Sequence, residues 1–322
     1  MMTILASKDV VNGLLQFKGP DAEKFLQGQL TCDMNDLSSQ QSLPGAYCSP
    51  QGRIRANFII FKASDETFLM VLPKQQIPFL IEVLAPYVAF FKCDLSDESN
   101  HWHLLGILSS ETAANVETST IINPEIDDLL KQTSKPWQLA RLDNISCIRL
   151  PGATGRWLCF STENIHATLS EIQTLAPQQW QAEEIKSGLV WIDEQNRDKF
   201  LPHDLSLPAL GAVSFTKGCY TGQEIVARMQ YRGEPKYLLA VLTTVPTDNE
   251  LPERLVQTVD NSKDLKVGEI VNAIHLDDNR WLLSASVKRA LPDQQKFQLK
   301  LGERAILCHI QVPVVLTENN NL

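Results

Sequence analysis

Lys217-Gly218-Cys219-Tyr220-Thr221-Gly222-Gln223-Glu224-Ile225-Val226-Ala227-Arg228 is the densest run of chemically meaningful residues in the chain. Thr221 and Glu224 have capping-box spacing, so the run predicts a helix capped by Thr221, with Tyr220 and Ile225 as a hydrophobic staple on either side. That account leaves two residues over. Cys219 stands two positions before the cap and lies between Gly218 and Gly222, which let the backbone turn tightly and keep side chains away from the sulfur. A helix N-terminus and a neighbouring cation, here Lys217, favour thiolate over thiol. An accessible, reactive cysteine is one reading of Cys219; a small buried hydrophobe, the usual state of a free cysteine, is the other.

Upstream of this run, Trp180 stands at the entrance of a short helix, Gln181 to Lys186, that closes on Gly188. Its indole is either a core anchor or one wall of a slot for a flat ring. Further upstream the pattern is an irregular alternation of strands and helices. Leu14 to Lys18 reads as a strand, followed by a helix opened by Gly19-Pro20-Asp21 and ending near Gly28. Ile54 to Lys62 and Thr67 to Leu72 pair across the turn 63–66, with a helix within Lys74 to Ala85. The polar stretch Ser109 to Ser134 reads as surface helix or loop between lobes. Trp137 to Leu150 and Trp157 to Phe160 read as strands, and Asn164 to Leu175 as an amphipathic helix. Downstream of Pro235 the texture changes to short strand-like runs at Tyr237 to Thr244, Lys266 to His275, Arg280 to Lys288 and Arg304 to His309. Such spacing predicts a small β-barrel or sandwich.

The 322 residues predict two or three domains at roughly 150 residues each. Hydrophobic residues at 43% and charged residues at 21% fit a folded globular chain rather than a disordered one. The formal charge of −9 argues against a general electrostatic grip on nucleic acid and leaves only a local basic site. Seven cysteines without a C-x-x-C pair fit a reduced, cytoplasmic protein. No apolar run approaches the ~20 residues that span a bilayer, and the first residues lack the features of a secretory signal. The six histidines include no zinc spacing, so neither His101-Trp102-His103 nor Cys308-His309 marks a metal site. Dinucleotide, P-loop and esterase signatures are absent.

Lys217 to Glu224 closely resembles the signature of the YgfZ family of folate-binding proteins. Gly19 to Leu30, with Lys24-Phe25-Leu26-Gln27-Gly28-Gln29 at its centre, then Gln179-Trp180 and Lys217 through Arg232-Gly233 agree in order, so the resemblance spans most of the chain. It implies an α+β, aminomethyltransferase-like fold in three domains around a central folate channel. Residues 1–232 would form the folate-binding region as two interleaved lobes, and 233–322 a C-terminal β-barrel. It also implies a tetrahydrofolate-dependent accessory role in building or repairing iron-sulfur clusters of client enzymes, including a tRNA methylthiotransferase. The link to tRNA modification would be indirect, without direct nucleic-acid binding. The resemblance makes Cys219 the motif cysteine, with Lys217 and Tyr220 as its motif neighbours. Trp180, Asn12, Lys186, Gln223 and Arg228 form the folate-contacting set it implies. Asn12 stands where some members carry a tryptophan. Lys186 aligns with a pterin-reading glutamate of the related aminomethyltransferases, and a cation cannot accept from the pterin amino group, which turns attention to Glu183 and Glu184.

Two other functions compete. An aminomethyltransferase of glycine cleavage needs a carboxylate in the strand after a glycine pair, and Gly52-Arg53-Ile54-Arg55-Ala56-Asn57-Phe58 has none at Ala56 or Asn57. A ligand-free interaction module is the third. The preferred reading is a folate-dependent accessory protein rather than a classical enzyme.

Overall fold

The computed structural model describes residues 2–5, 11–112, 124–152, 154–163, 175–247, 251, 254–259, 263–289, 297–301 and 304–311. The chain opens with β1 (Met2–Leu5), β2 (Asn12–Lys18), α1 (Ala22–Gln29), β3 (Leu43–Cys48), β4 (Ile54–Ser64), β5 (Thr67–Pro73), α2 (Ile77–Val88) and β6 (Asp94–Asp97). Strands β3-β4-β5-β2-β6 form the first five-stranded sheet, antiparallel throughout. In β4 and β5 apolar residues run on almost without alternation, because both faces of this sheet are covered. One face carries Phe17, Phe58, Ile60 and Met70 against Phe25 and Leu26 of α1 and Leu80 and Leu84 of α2. The other carries Leu14, Ile59, Phe61 and Val71.

That second face is closed by another five-stranded sheet, which follows in sequence through β7 (His103–Thr112), α3 (Pro124–Gln132), β8 (Leu139–Leu142), β9 (Ile145–Arg149) and β10 (Thr154–Ser161). Its order is β1-β7-β10-β9-β8. Leu104, Ile148, Leu158 and Phe160 meet the first sheet, and the Phe61 and Phe160 rings stack at 4.8 Å. The opposite face holds Ile107, Cys147, Trp157 and Cys159 against Ile126, Leu129 and Leu130 of α3. The resulting layers are helix, sheet, sheet, helix. Cys147 and Cys159 face each other across β9 and β10 and are joined as a disulfide. The expectation of a fully reduced chain fails at this pair, since the absence of C-x-x-C spacing says nothing about cysteines that a hairpin register brings opposite one another.

After α4 (Pro177–Lys186) the chain runs without long elements to α5 (Gln223–Arg232) and then enters a closed barrel. Its strands are β11 (Tyr237–Thr244), β12 (Arg254–Val259), β13 (Lys263–His275), β14 (Trp281–Lys288), β15 (Phe297–Leu301) and β16 (Arg304–Gln311), in the order β11-β14-β13-β12-β15-β16. Pairing of β16 with β11 completes the circle. Ala240, Leu242, Leu283, Ala285 and Cys308 pack together in one core, whereas Val241, Ile274 and Leu282 dock against Ala182 and Ile185 of α4. The barrel is thus held through α4 and, at Leu239 and Val271, in a shared core with Ala46 and Ile54 of the first sheet.

Several expectations need correction. Ser109 to Thr112 continues β7 as a paired strand instead of opening a surface loop, and α3 buries its apolar stripe, so Ser109 to Ser134 is not a polar connection throughout. Trp137 to Leu150 divides into the β8–β9 hairpin at Asp143, whose φ is +49°. Strands β12 and β15 carried no readable signal. The helix expected over Asn164 to Leu175 falls largely outside the described residues. Among the described residues, no helix is long and apolar enough to cross a membrane.

Gly106 of β7 is the point where the second sheet accepts the indole of α4: a Cβ there would lie 2.8 Å from the Trp180 ring. Gly106→Ala should therefore cost about 1–3 kcal/mol as an overpacked site. Thermal denaturation should show a lower Tm together with a shifted tryptophan emission, and an unchanged Tm would show that the ring has room to move.

Candidate functional site

Helix α4 begins on Pro177, and residues four apart lie on one of its faces. Trp180 and Glu184 occupy that face, both buried. The Trp180 Nε1 donates to Glu184 Oε1 at 3.2 Å, and Trp191 Nε1 donates to the same oxygen at 3.0 Å. Burial pushes the Glu184 carboxyl above its ordinary pKa, while Arg156 and the two indole donors pull it back. Arg156 is itself buried, which brings its pKa down to about 10 and leaves it a cation at neutral pH. Its guanidinium lies 5.3 Å from the centre of the Trp180 ring and donates to Ser187 Oγ at 3.0 Å. A buried tryptophan thus lies between an acid and a base on neighbouring elements.

Trp180, Glu184 and Trp191 line a cavity of about 300 Å³, completed by Asn12 and Pro73, paired at the start of β2 and the end of β5, and by Asn272 of β13. Its walls come from the first sheet, from α4 and the segment after it, and from the barrel. The segment that carries Trp191 is extended and is gripped from two sides. Asn57 of β4 donates through Nδ2 to Val190 O at 2.6 Å and accepts through Oδ1 from Ile192 N at 2.8 Å. Asn272 accepts through Oδ1 from Trp191 N at 3.1 Å and donates through Nδ2 to Trp191 O at 3.0 Å.

Of the expected folate set, the structure brings Trp180 and Asn12 together. Trp180 lies inside α4 rather than at its entrance. Lys186 points elsewhere: six residues beyond Trp180 it leaves the inner face, pairs with Glu183 at 2.8 Å and shares with it a separate surface hollow. Two carboxylates stand on the cavity wall, Glu184 and Asp193; Glu184 is the buried one, and Asp193 accepts from Asn196 N at 2.8 Å. Trp191 escaped the sequence reading because nothing local ties it to a helix face; the one available signal is a second tryptophan in the apolar run Leu189 to Ile192 after Gly188.

No residue of Lys217 to Arg228 lines this cavity. Lys217 is buried, donates to Leu30 O at 2.7 Å and Cys32 O at 2.6 Å, and lies 5.4 Å from the centre of the Tyr220 ring. It pins the motif to the end of α1 instead of serving as the cation beside Cys219. Burial lowers its pKa. The residue capping α5 is Gly222, with φ +84°, not Thr221; a Cβ at Gly222 would lie 2.4 Å from Ser49 O. Only glycine permits that approach of helix to turn, and Thr221 instead donates to Gln29 Oε1 at 3.4 Å. Gln223 Nε2 reaches the Lys217 and Gly218 carbonyls, each at 3.5 Å, closing the loop on itself. Tyr220 is buried. Cys219 and Arg228 face solvent.

Ala56 is buried and Asn57 is committed to the backbone of 190–192, so no acid occupies either position. His101 pairs with Glu98 at 2.6 Å. Among the described residues, no group of three His, Cys, Asp or Glu side chains is placed to hold a metal ion.

Burial pushes the thiols of Cys32 and Cys48 up to about 12 and that of Cys93 up to about 11, while Cys219 is exposed. Native protein treated with a maleimide near neutral pH should take up one label, at Cys219, before any other thiol reacts. Peptide mapping by mass spectrometry checks this, and equal labelling of Cys32 or Cys48 would contradict the placement of the loop.

No family model matches the chain. Over 313 residues it is 30% identical to an uncharacterized protein of Haemophilus influenzae, an alignment covering 95% of this chain and 96% of the relative. It is also 30% identical over 294 residues to the tRNA-modifying protein YgfZ of Klebsiella pneumoniae, covering 89% of this chain and 86% of that protein. The identity to the protein of the same name from Cronobacter sakazakii is 28%, over 98% of this chain and 94% of the relative. Among solved structures, the glycine cleavage system aminomethyltransferase T of Bartonella henselae superposes with a TM-score of 0.66 at 13% identity, covering 95% of this chain and 84% of that one. The two share a fold. With sequence similarity extending over nearly its whole length, and with the Trp180 and Cys219 segments in place, the chain belongs to the YgfZ family.

Proposed function

We propose that the protein is a tetrahydrofolate-binding accessory factor that supports tRNA modification by assisting the assembly or repair of iron-sulfur clusters in client enzymes such as a tRNA methylthiotransferase. The observation that carries this reading is the convergence of Trp180, Trp191 and Glu184 on one cavity. A reduced pterin is a flat ring edged with N–H donors, and these residues offer aromatic surface and a carboxylate. Glu184 Oε1 already accepts from both indoles, and Oε2 has no partner among the described residues, so it is available to a ring amino group. About 300 Å³ is at the small end of ligand cavities and suits the bicyclic head, with the tail leaving through the opening. Asn12 supplies a polar contact where an aromatic wall would otherwise stand. Lys186, Gln223 and Arg228 have no place in the head-group site. When bound, tetrahydrofolate supplies a carrier for one-carbon units.

In this reading residues 1–232 form the folate-binding region, and 233–322 the barrel domain whose β13 completes the cavity wall. Cys219 serves as the contact for an iron-sulfur client: its sulfur is exposed while Lys217 and Gln223 fix the loop beneath it. Aminomethyl transfer is disfavoured because Ala56 and Asn57 offer no proton-transfer group.

Titration with tetrahydrofolate should quench tryptophan fluorescence saturably. Glu184→Gln keeps the shape and an acceptor for the indoles but removes the charged partner of the ring, and should weaken binding about 10- to 100-fold, the worth of a charged hydrogen bond. Wild-type affinity in this variant would remove Glu184 from the site, and absence of quenching in the wild-type protein would favour a ligand-free interaction role.

In a strain lacking the gene, wild type should restore methylthio-modified tRNA, and Cys219→Ala at matched protein level should not. Equal rescue by both would reduce the cysteine to a structural position, and absence of any deletion phenotype would point to another client.

A further inference from the structure

A second cavity, of about 320 Å³, opens where α5 and the barrel meet the 199–204 segment. Its walls carry Arg53, Lys199, Lys236 and Tyr237, with Asp204 and Glu269 as the acids. Asp204 accepts from the backbone of Leu201 at 2.9 Å, so its carboxylate is partly spent. Lys199 and Lys236 are exposed and have no ion pair among the described residues; the same holds for Arg228 and Arg232, on either side of the lining residue Met229. Lys288 and Arg289 join them at the end of β14, since Tyr237 pairs with Lys288 and Arg289 N donates to Lys236 O at 2.8 Å. Asp198, beside Lys199 and paired with Arg55 at 3.2 Å, and Glu224 and Glu234 are further exposed acids along this surface, and the cations named here outnumber the acids on a chain whose net charge is −9.

One exposed aromatic stands beside these cations. Tyr231 is 67% exposed, and its ring is steadied by an edge contact to Phe215 at 6.1 Å. Three residues after Arg228 it neighbours that cation on α5, and Arg228 and Arg232, four apart, share a face. Cations that track a phosphate backbone, combined with an aromatic face on which a base can stack, are the two components of single-strand recognition.

We infer that the surface formed by Arg53, Lys199, Lys236, Arg228, Arg232 and Tyr231 binds single-stranded RNA directly. The choice of RNA as the polyanion rests on the tRNA-modification reading; the surface itself lies apart from the Trp180 cavity and shares none of its lining residues. Direct contact of this kind departs from the expectation drawn from net charge, because local arrangement rather than net charge sets the potential at a binding surface.

Fluorescence anisotropy of a short labelled single-stranded RNA, titrated with the full-length protein at several salt concentrations, tests this. Arg53→Ala/Lys199→Ala/Lys236→Ala should weaken binding at least about tenfold at low salt and reduce the slope of log affinity against log salt by about 2, as expected for three lost phosphate contacts on a single strand. Tyr231→Ala should weaken binding about tenfold with the slope retained. The control Lys24→Ala/Lys92→Ala/Lys135→Ala removes three exposed cations elsewhere and should bind as wild type does. All variants are to be matched by circular dichroism. Absence of wild-type binding, an equal loss in the control, or equal affinity for duplex RNA would each overturn the proposal. Those results would leave the folate reading standing, because tetrahydrofolate quenching is measured separately; loss of quenching alone would leave RNA binding intact.

Discussion

The arrangement depends on two side-chain amides. The extended segment Val190 to Ile192 has no strand partner, yet its backbone donors and acceptors are buried between a sheet and a barrel and must be satisfied there. Asn57 from β4 and Asn272 from β13 each use both ends of the amide on this one segment. A hydrogen bond of this kind contributes only about 1 kcal/mol net, but leaving one of these buried groups unpaired costs about 1–3 kcal/mol, so the two asparagines fix the segment's path. Trp191 is thereby held where its indole meets Glu184, and the barrel is held where β13 faces the ends of β2 and β5 across the cavity. The cavity follows from the clamp.

What could be read from sequence divides along the range of the interactions involved. Strands β4, β5 and β11 announced themselves because their apolar runs answer to burial on the sheet faces, and α1 because its turn residues are local. The barrel was readable as a texture of short strands, but β12 and β15 were not separable from the turn-rich segments around them. At the site, Trp180 and Cys219 stood out through their neighbours. The capping box at Thr221 obeyed local rules and was displaced by a distant contact, the approach of Gly222 to Ser49 O. Lys217 misled for the same reason: adjacency suggested a partner for Cys219, whereas its ammonium reaches carbonyls 187 and 185 residues away. Glu184 was named only as a neighbour, since nothing in the sequence says which of two consecutive acids faces inward.

The two halves of the proposed function are physically separate. The cavity of about 300 Å³ is lined by the Trp180 and Trp191 rings and by Glu184, whereas Cys219 sits on a loop anchored inward by Lys217 and Gln223, with its sulfur facing out. Ligand occupancy and partner contact can therefore be altered independently.

Asn57 has one further consequence. It must present a donor to Val190 O and an acceptor to Ile192 N at the same time, at 2.6 and 2.8 Å. Aspartate has nearly the same shape, but when ionised it offers acceptors alone and would press an oxygen against a carbonyl. An acid in the strand and a closed junction therefore exclude each other at this position. A carboxylate introduced at this position would open the cavity wall before it could serve proton-transfer chemistry there.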